Sequence, residues 1–345
     1  MKKKLLSFIF AICLIIPCVL IVGCTKDKEP TKPEEPITIQ IVDGVSYDLI
    51  NDGTAYEIVD CVRWKESVDI LSSLNNKPVT VIGESAFEDC DELISVTIPT
   101  SITTIENKAF YDCDALQSIN ISNGVVTIGE KAFSRCELLK TVVLGNSVKT
   151  IGNYAFDCDI ENLVWGSAVE TIGDYAFSGS DLESVIIPGS VTSIGSHAFW
   201  SSSLKSVIVG NGVTSIGEAA FADCLLLNNV VIGNSVETIG YRAFGSCAIL
   251  EITIPSSIIT IDGYAFVHNG IKKVIIDSES VSNNLIENES QGCLLWDHYE
   301  NELFAETIYV KNGLRVTNST LLLENFTKQS TSDKTGYDMY VRNAE

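Results

Sequence analysis

Eleven cysteines and three histidines are the residues of this 345-residue chain with the most chemistry to offer. Thiolates and imidazoles hold zinc, and neighbouring thiols exchange with disulfides. Their spacing speaks against both uses. No Cys-x-x-Cys pair, the usual mark of a zinc or dithiol site, occurs anywhere in the chain. Instead Cys90, Cys113, Cys136 and Cys224 each stand three residues after the phenylalanine of an Ala-Phe pair, with Cys158 and Cys247 at or beside the same place. One small residue per turn of a repeating chain predicts a ladder of buried thiols that pack as small hydrophobes. Turns stacked about 4.8 Å apart make oxidation of adjacent thiols the second reading and a metal the third. Cys61 and Cys293 fall off this ladder.

The histidines, His197, His268 and His298, belong to no catalytic motif. Gly-x-Ser-x-Gly and His-Glu-x-x-His are both absent, and no Gly-rich loop is placed to cradle a phosphate. Asp157, Asp159, Glu161, Asp174, Asp181 and Glu183 gather on two neighbouring turns and carry the hard oxygens that calcium takes. They do not form the twelve-residue calcium loop, so they read as solvated charge. No catalytic residue, metal or cofactor is predicted, and the chain is not expected to be an enzyme.

What positions these residues is a repeat. Ala-Phe recurs at Phe87, Phe110, Phe133, Phe156, Phe177, Phe199, Phe221, Phe244 and Phe266, at steps of 23, 23, 23, 21, 22, 22, 23 and 22 residues. Five residues before each Phe stands an isoleucine, from Ile82 to Ile261, and three before that a Val or Ile. Each unit also holds a pattern such as Leu93-x-x-Val96-x-Ile98, which alternates like a strand with one buried face. A Gly or Pro often follows and turns the chain, as at Pro99, Gly145 and Pro188. The Val-x-x-Ile pair predicts a second extended segment, and the residues around Ala-Phe predict one tight helical turn. Thr104, Thr127 and their equivalents, one before each repeat isoleucine, predict a hydroxyl ladder that links coils. Trp165 occupies the column of Ile98, Ile121 and Ile187 and is assigned to the core. One coil cannot bury its own apolar edge, but stacked copies can. The fold class is a repeat solenoid, mainly parallel β with short helical turns.

The run Cys-x-x-Leu-x-x-Val-x-Ile-Pro-x-x-Ile-x-x-Ile-x-x-x-Ala-Phe, from Cys90 to Phe110, resembles the BspA-like leucine-rich repeats of bacterial surface proteins. The resemblance covers about residues 77 to 276. It implies a right-handed superhelix with a parallel sheet on its concave face, together with export and surface display. It also implies adhesion to host or bacterial surface proteins.

The ends differ from the repeats. Lys2, Lys3 and Lys4 precede an uncharged run over residues 5–23, and Ile21-Val22-Gly23-Cys24 resembles a bacterial lipobox. This predicts a lipoprotein signal peptide over 1–23 and lipid on Cys24. An uncleaved membrane helix is the other reading. Residues 24–36 form a tether, with three prolines and almost nothing to bury. Residues 37–76 read as an N-terminal β cap with hairpin turns at Asp43-Gly44 and Asn51-Asp52-Gly53. The nine Ala-Phe units fill 77–276. Residues 277–345 read as a degenerate repeat at Thr307-Ile308-Tyr309-Val310 followed by a C-terminal cap. The predicted location is extracytoplasmic, lipid-anchored at the bacterial cell surface. With 23 Lys+Arg against 45 Asp+Glu, the net charge of −22 excludes a general nucleic-acid binder. It also leaves the lipid anchor as the only membrane contact. A hydrophobic content of 46% excludes global disorder.

In each strand the residue after the inward one points out. That column reads Thr97, Asn120, Val143, Val164, Ile186, Ile208, Val231, Thr253 and Ile275, with five aliphatics unbroken from Val143 to Val231. Beside it runs a small polar column that includes Ser95, Ser118, Thr141, Asn162, Ser184 and Ser206. Such a pair of stripes suits an extracellular or cell-surface protein partner, although Val and Ile also favour strands for their own sake. A second column holds Tyr154, Tyr175, His197, Arg242 and Tyr264, with Trp200 nearby. Aromatic and Arg side chains on one ridge suit protein hot spots or a glycan partner. Protein binding through the concave sheet is the first function predicted, glycan binding through the ridge the second, and a hydrolase within 277–345 the third.

Overall fold

A computed structural model describes residues 39–277, 296–297, 302–303, 305–311, 326–329, 332 and 334–343. The 1–23 signal peptide, Cys24 and the rest of the 24–36 tether lie outside the described residues, as do Cys293 and His298. Each repeat forms one coil with three sides. The first is a short strand such as Ser118–Asn120, whose middle residue turns inward. The second is a two-residue strand such as Thr127–Ile128. The third is the Ala-Phe turn.

The two-residue strands make one continuous parallel ladder, from Lys77–Ile82 through Thr104–Ile105 to Thr260–Ile261. Thr pairs with Thr or Ser, and Ile with Ile, so each repeat isoleucine up to Ile239 is buried. The ladder tolerates little bulk at the next residue. A Cβ on Gly152 would lie 2.6 Å from the backbone carbon of Gly129. Linking hydroxyls come one residue before the expected column. Thr103, Thr192 and Thr214 donate to the carbonyls of Thr80, Glu170 and Thr192 in the preceding coil, at 3.1–3.2 Å.

The nine repeat phenylalanines stack through the centre. Neighbouring ring centroids lie 4.7–5.5 Å apart, with planes within 13° of parallel. The alanine before each ring lets the backbones close. The N–H of Phe87 donates to the carbonyl of Ala109 at 2.7 Å, and that of Phe133 to Ala155 at 2.8 Å.

The Ala-Phe segment is not the helical turn expected of it; among the described residues there is no helix. Two residues before each Phe the backbone is left-handed, with φ of 56° at Tyr154 and Tyr175 and 57° at His197. Most coils repeat this two residues after the Phe, as at Asp112 and Asp223. A left-handed residue cannot continue a right-handed helix. It turns N–H and C=O groups toward the next coil instead of along the segment's own axis.

The stack begins one coil before the first Ala-Phe, because Ala55–Cys61 pairs in parallel with Lys77–Ile82 and Ser67–Asp69 with Ser95–Thr97. Val45–Ile50 and Gln40–Val42 then continue the ladder antiparallel. Asp43 and Gly44, between them, both take positive φ, which a two-residue hairpin turn needs. At the other end Thr307–Lys311 adds a parallel strand to Lys273–Ile276, and Tyr337–Arg342 lies antiparallel on it. The Tyr337 hydroxyl donates to the Asp277 carboxylate, which pushes its pKa up to about 12.

Candidate binding face

The side of short strands carries the outward aliphatic column. Val164, Ile186, Ile208 and Val231 are 54, 64, 38 and 47% exposed, and Val143 is half-buried. Register sets Val143 opposite Val164, and Ile186, Ile208 and Val231 in line. Ser184, Asn162 and Asn229, in the polar column beside them, are exposed. Ile275 departs from the expected column: it is buried beside Tyr309, its partner on the added C-terminal strand.

This side is not one sheet. Asn162–Val164 closes a three-stranded sheet with Thr141–Val143 and Ser118–Asn120, while Ser184–Ile186 opens another with Ser206–Ile208 and Asn229–Val231. The side also parts between Ser95–Thr97 and Ser118–Asn120 and between Asn229–Val231 and Glu251–Ile254; at the middle parting the connection before Asn162 is short. Phe156 precedes the inward residue Leu163 by seven positions, where other coils use eight or nine. Two successive three-residue turns take up the shortfall: Cys158 N–H donates to Phe156 O at 2.9 Å, and Ile160 N–H to Cys158 O at 2.8 Å.

At the parting stands Trp165. Its counterparts Ile121, Leu144, Ile187 and Val209 are buried; the indole packs against the core as expected but is only half-buried. An indole is too large for the space in which coils close over an isoleucine, and here they do not close. The result is a cleft of about 1120 Å³, lined by Val164, Trp165, Ile186 and Leu226 with Glu161, Asp181, Glu183 and Lys205. The acidic residues near it pair with lysines and do not converge on one point as metal ligands would. Lys140 lies 3.7–3.8 Å from Asp159, Glu161 and Asp181, and Lys205 2.6 Å from Glu183. Among the described residues no group of three or more His, Cys, Asp and Glu is arranged to hold a metal ion. Residue columns alone miss Trp165 and Lys205 as face residues. The 21-residue step and the one tryptophan in an aliphatic column are the signals that mark them.

The aromatic ridge divides in two. Tyr154, Tyr175 and His197 stack at 4.6 and 4.5 Å with planes within 7° of parallel, and Trp200 meets His197 edge-on. Ala219 occupies the next coil, so Arg242 and Tyr264 stand apart from this stack. Within it the ring faces cover one another, and Lys131 lies 5.2 Å over the Tyr154 ring. Trp200 donates Nε1–H to Asp223 at 2.8 Å. Sugar stacking needs open faces, and the three-ring stack presents edges.

The seven described cysteines are free. In several coils the residue three after the Phe donates to the Phe carbonyl one coil earlier: Cys136 to Phe110 at 3.1 Å, Cys224 to Phe199 at 3.2 Å, and Cys247 to Phe221 at 3.2 Å. Ser202 and Asn269 do the same toward Phe177 and Phe244. The column therefore selects a small or slender donor rather than a redox group. Burial pushes the Cys224 thiol up to about 12 and raises Cys158 and Cys247 as well. Cys61 stands three residues after Ile58, the partner of Ile82, whereas Cys90 stands eight after Ile82, so the register keeps Cys61 off the ladder. It interacts with Cys90, which draws its pKa down and pushes that of Cys90 up.

The pattern of the BspA type leucine rich repeat region matches residues 66–158 and 157–272, in six copies. No curated protein matches the chain. Among solved structures, a leucine-rich repeat protein from Bacteroides ovatus is 24% identical, covering 69% of this chain and 71% of its own, with a TM-score of 0.49. The leucine rich repeat protein of T. pallidum is 24% identical, covering 60% and 88%, with a TM-score of 0.45. A leucine rich cell surface protein of Faecalibacterium prausnitzii is 20% identical, covering 84% and 98%, with a TM-score of 0.39. At these scores none of the three bears on what the chain binds. The nine Ala-Phe coils, their parallel ladder and the matched pattern over more than half its length place this chain in the BspA-type leucine-rich repeat family.

Proposed function

We propose that this is a non-enzymatic, cell-surface protein, held by lipid on Cys24, that adheres to a host, matrix or neighbouring-cell protein through its short-strand face. The observation that carries the reading is the line of exposed aliphatics, Val164, Ile186, Ile208 and Val231, flanked by small polar residues. Exposed apolar side chains in register on a solvent-facing sheet are what a protein partner covers. The basic leader and the Gly23-Cys24 junction support the surface location.

The test compares capture from matrix and cell-surface extracts by wild type and by Ile186→Asp plus Ile208→Asp. Loss of a captured protein by a double mutant that still unfolds cooperatively supports the reading; unchanged capture sinks it. Lipid on Cys24 is checked by metabolic labelling with a fatty acid, which Cys24→Ser abolishes.

A further inference from the structure

The cleft between Asn162–Val164 and Ser184–Ile186 has a chemistry that the rest of the face lacks. Val164, Ile186 and the half-buried indole of Trp165 give it an apolar lining, and Glu161, Asp181, Glu183 and Lys205 give it charge. Trp165 meets Phe177 edge-on, at 5.6 Å and 72°. A perpendicular contact covers at most one face of the indole. Glu161, Asp181 and Glu183 line the same cleft, and among the described residues the ion pairs of these three and of Asp159 are with Lys140 and Lys205. The surplus is negative, in a chain whose net charge is −22.

An indole and surplus carboxylates lining one cleft suit a planar cation. A guanidinium stacks on the ring and donates to the carboxylates at once, which a compact ammonium does less well. The flanking strands add a second kind of recognition. Each is laddered on one side only, Asn162–Val164 to Thr141–Val143 and Ser184–Ile186 to Ser206–Ile208. Their facing edges leave main-chain groups for an added strand. The volume of about 1120 Å³ exceeds the roughly 300–1,000 Å³ of small-molecule sites and accommodates several residues of extended chain.

We propose that this cleft takes an extended segment of a partner protein that presents an arginine, its guanidinium against Trp165 and paired with Glu161, Asp181 and Glu183. The inference rests on the short-strand face being a protein-binding surface, and it names the chemistry of the segment bound there.

The test uses the full chain in detergent and a blocked peptide, acetyl-Val-Thr-Arg-Thr-Val-amide, with citrulline replacing arginine in a second peptide. Titration calorimetry is expected to show the arginine peptide binding about tenfold more tightly than its neutral isostere, a gap of about 1.4 kcal/mol. Trp165→Leu, which restores the aliphatic column, is expected to remove that preference. Glu161→Gln plus Glu183→Gln changes only exposed side chains and is expected to weaken the arginine peptide while sparing the fold. No binding of the arginine peptide, equal binding of both peptides, or a preference indifferent to both variants would overturn the proposal. If any of these occurs while Ile186→Asp plus Ile208→Asp still abolishes partner capture, the cleft inference fails alone. If capture is also indifferent to that double mutant, the reading of the whole face fails with it.

Discussion

The thiol of Cys113 donates to the carbonyl of Phe87, one coil earlier and 3.0 Å away. The bond runs along the stack and ties the turn after Phe110 to the ring before it. It explains why serine and asparagine stand in for cysteine at Ser202 and Asn269. Cys113→Ser should therefore leave the urea midpoint nearly unchanged, because the donor is kept. Cys113→Ala should cost about 0.5–1.5 kcal/mol for the lost bond, measured by equilibrium unfolding. A serine variant as damaging as the alanine would mean that volume, and not the donor, matters at this column.

Phe177 stacks on Phe156 and Phe199 and also meets Trp165. Phe177→Ala should destabilise by about 3–5 kcal/mol, the cost of emptying a buried aromatic site. Phe266, which stacks on Phe244 at the end of the ring column, should cost less when truncated. Hydrogen exchange would locate the difference. Coils around position 177 should lose protection on both sides, as nearest-neighbour coupling in a solenoid requires.

Burial raises the pKa of Asp157, which its contacts with Ser134 and Ser178 only partly offset. A carboxyl that holds its proton more tightly in the fold than in the unfolded chain loses stability as pH rises through that window. Asp157→Asn removes the charge that burial penalises and can still accept from Ser134 Oγ. Its melting temperature should exceed wild type at pH 7, and the gap should close in acid once the wild-type carboxyl is protonated. A gap that widens in acid would reverse the sign of this argument.

Buried thiols with raised pKa values are poor nucleophiles. With Cys224 near 12 and Cys247 also raised by burial, a thiol reagent at pH 8 should label them only as fast as the chain unfolds. Labelling in urea, followed by mass spectrometry of the modified peptides, gives the reference rate. Rapid native-state modification of Cys224 would show that the coil opens locally.

The repeat was plain in the sequence because each column is read many times over. Phe at one position and Ile five before it survive any local variation, and the stacked rings and the Thr-Ile ladder follow from them. The Ala-Phe turn was not plain. Its left-handed residues are Tyr154, Tyr175 and His197, not glycines, so no compositional mark announces the conformation that forbids a helix. The partial exposure of Trp165 was hidden for a different reason. A column assigns each residue the average fate of its equivalents, and the coil before Asn162 is the one that is two residues shorter than its predecessors. Exposure along the Val164–Ile186–Ile208–Val231 line could be read from alternation alone, but its interruption could not.

A stack of like rungs gives a folding chain a counting problem. Phenylalanine would sit on phenylalanine, and isoleucine on isoleucine, if a segment docked one coil too early or too late, and such slips are a characteristic failure of repeat proteins. The six-residue connection between Phe156 and Leu163 breaks that degeneracy. It fits at one place in the stack, and the oversized indole behind it fits at one place too. The irregular coil thus acts as a numbered rung, from which the rest can be counted in both directions.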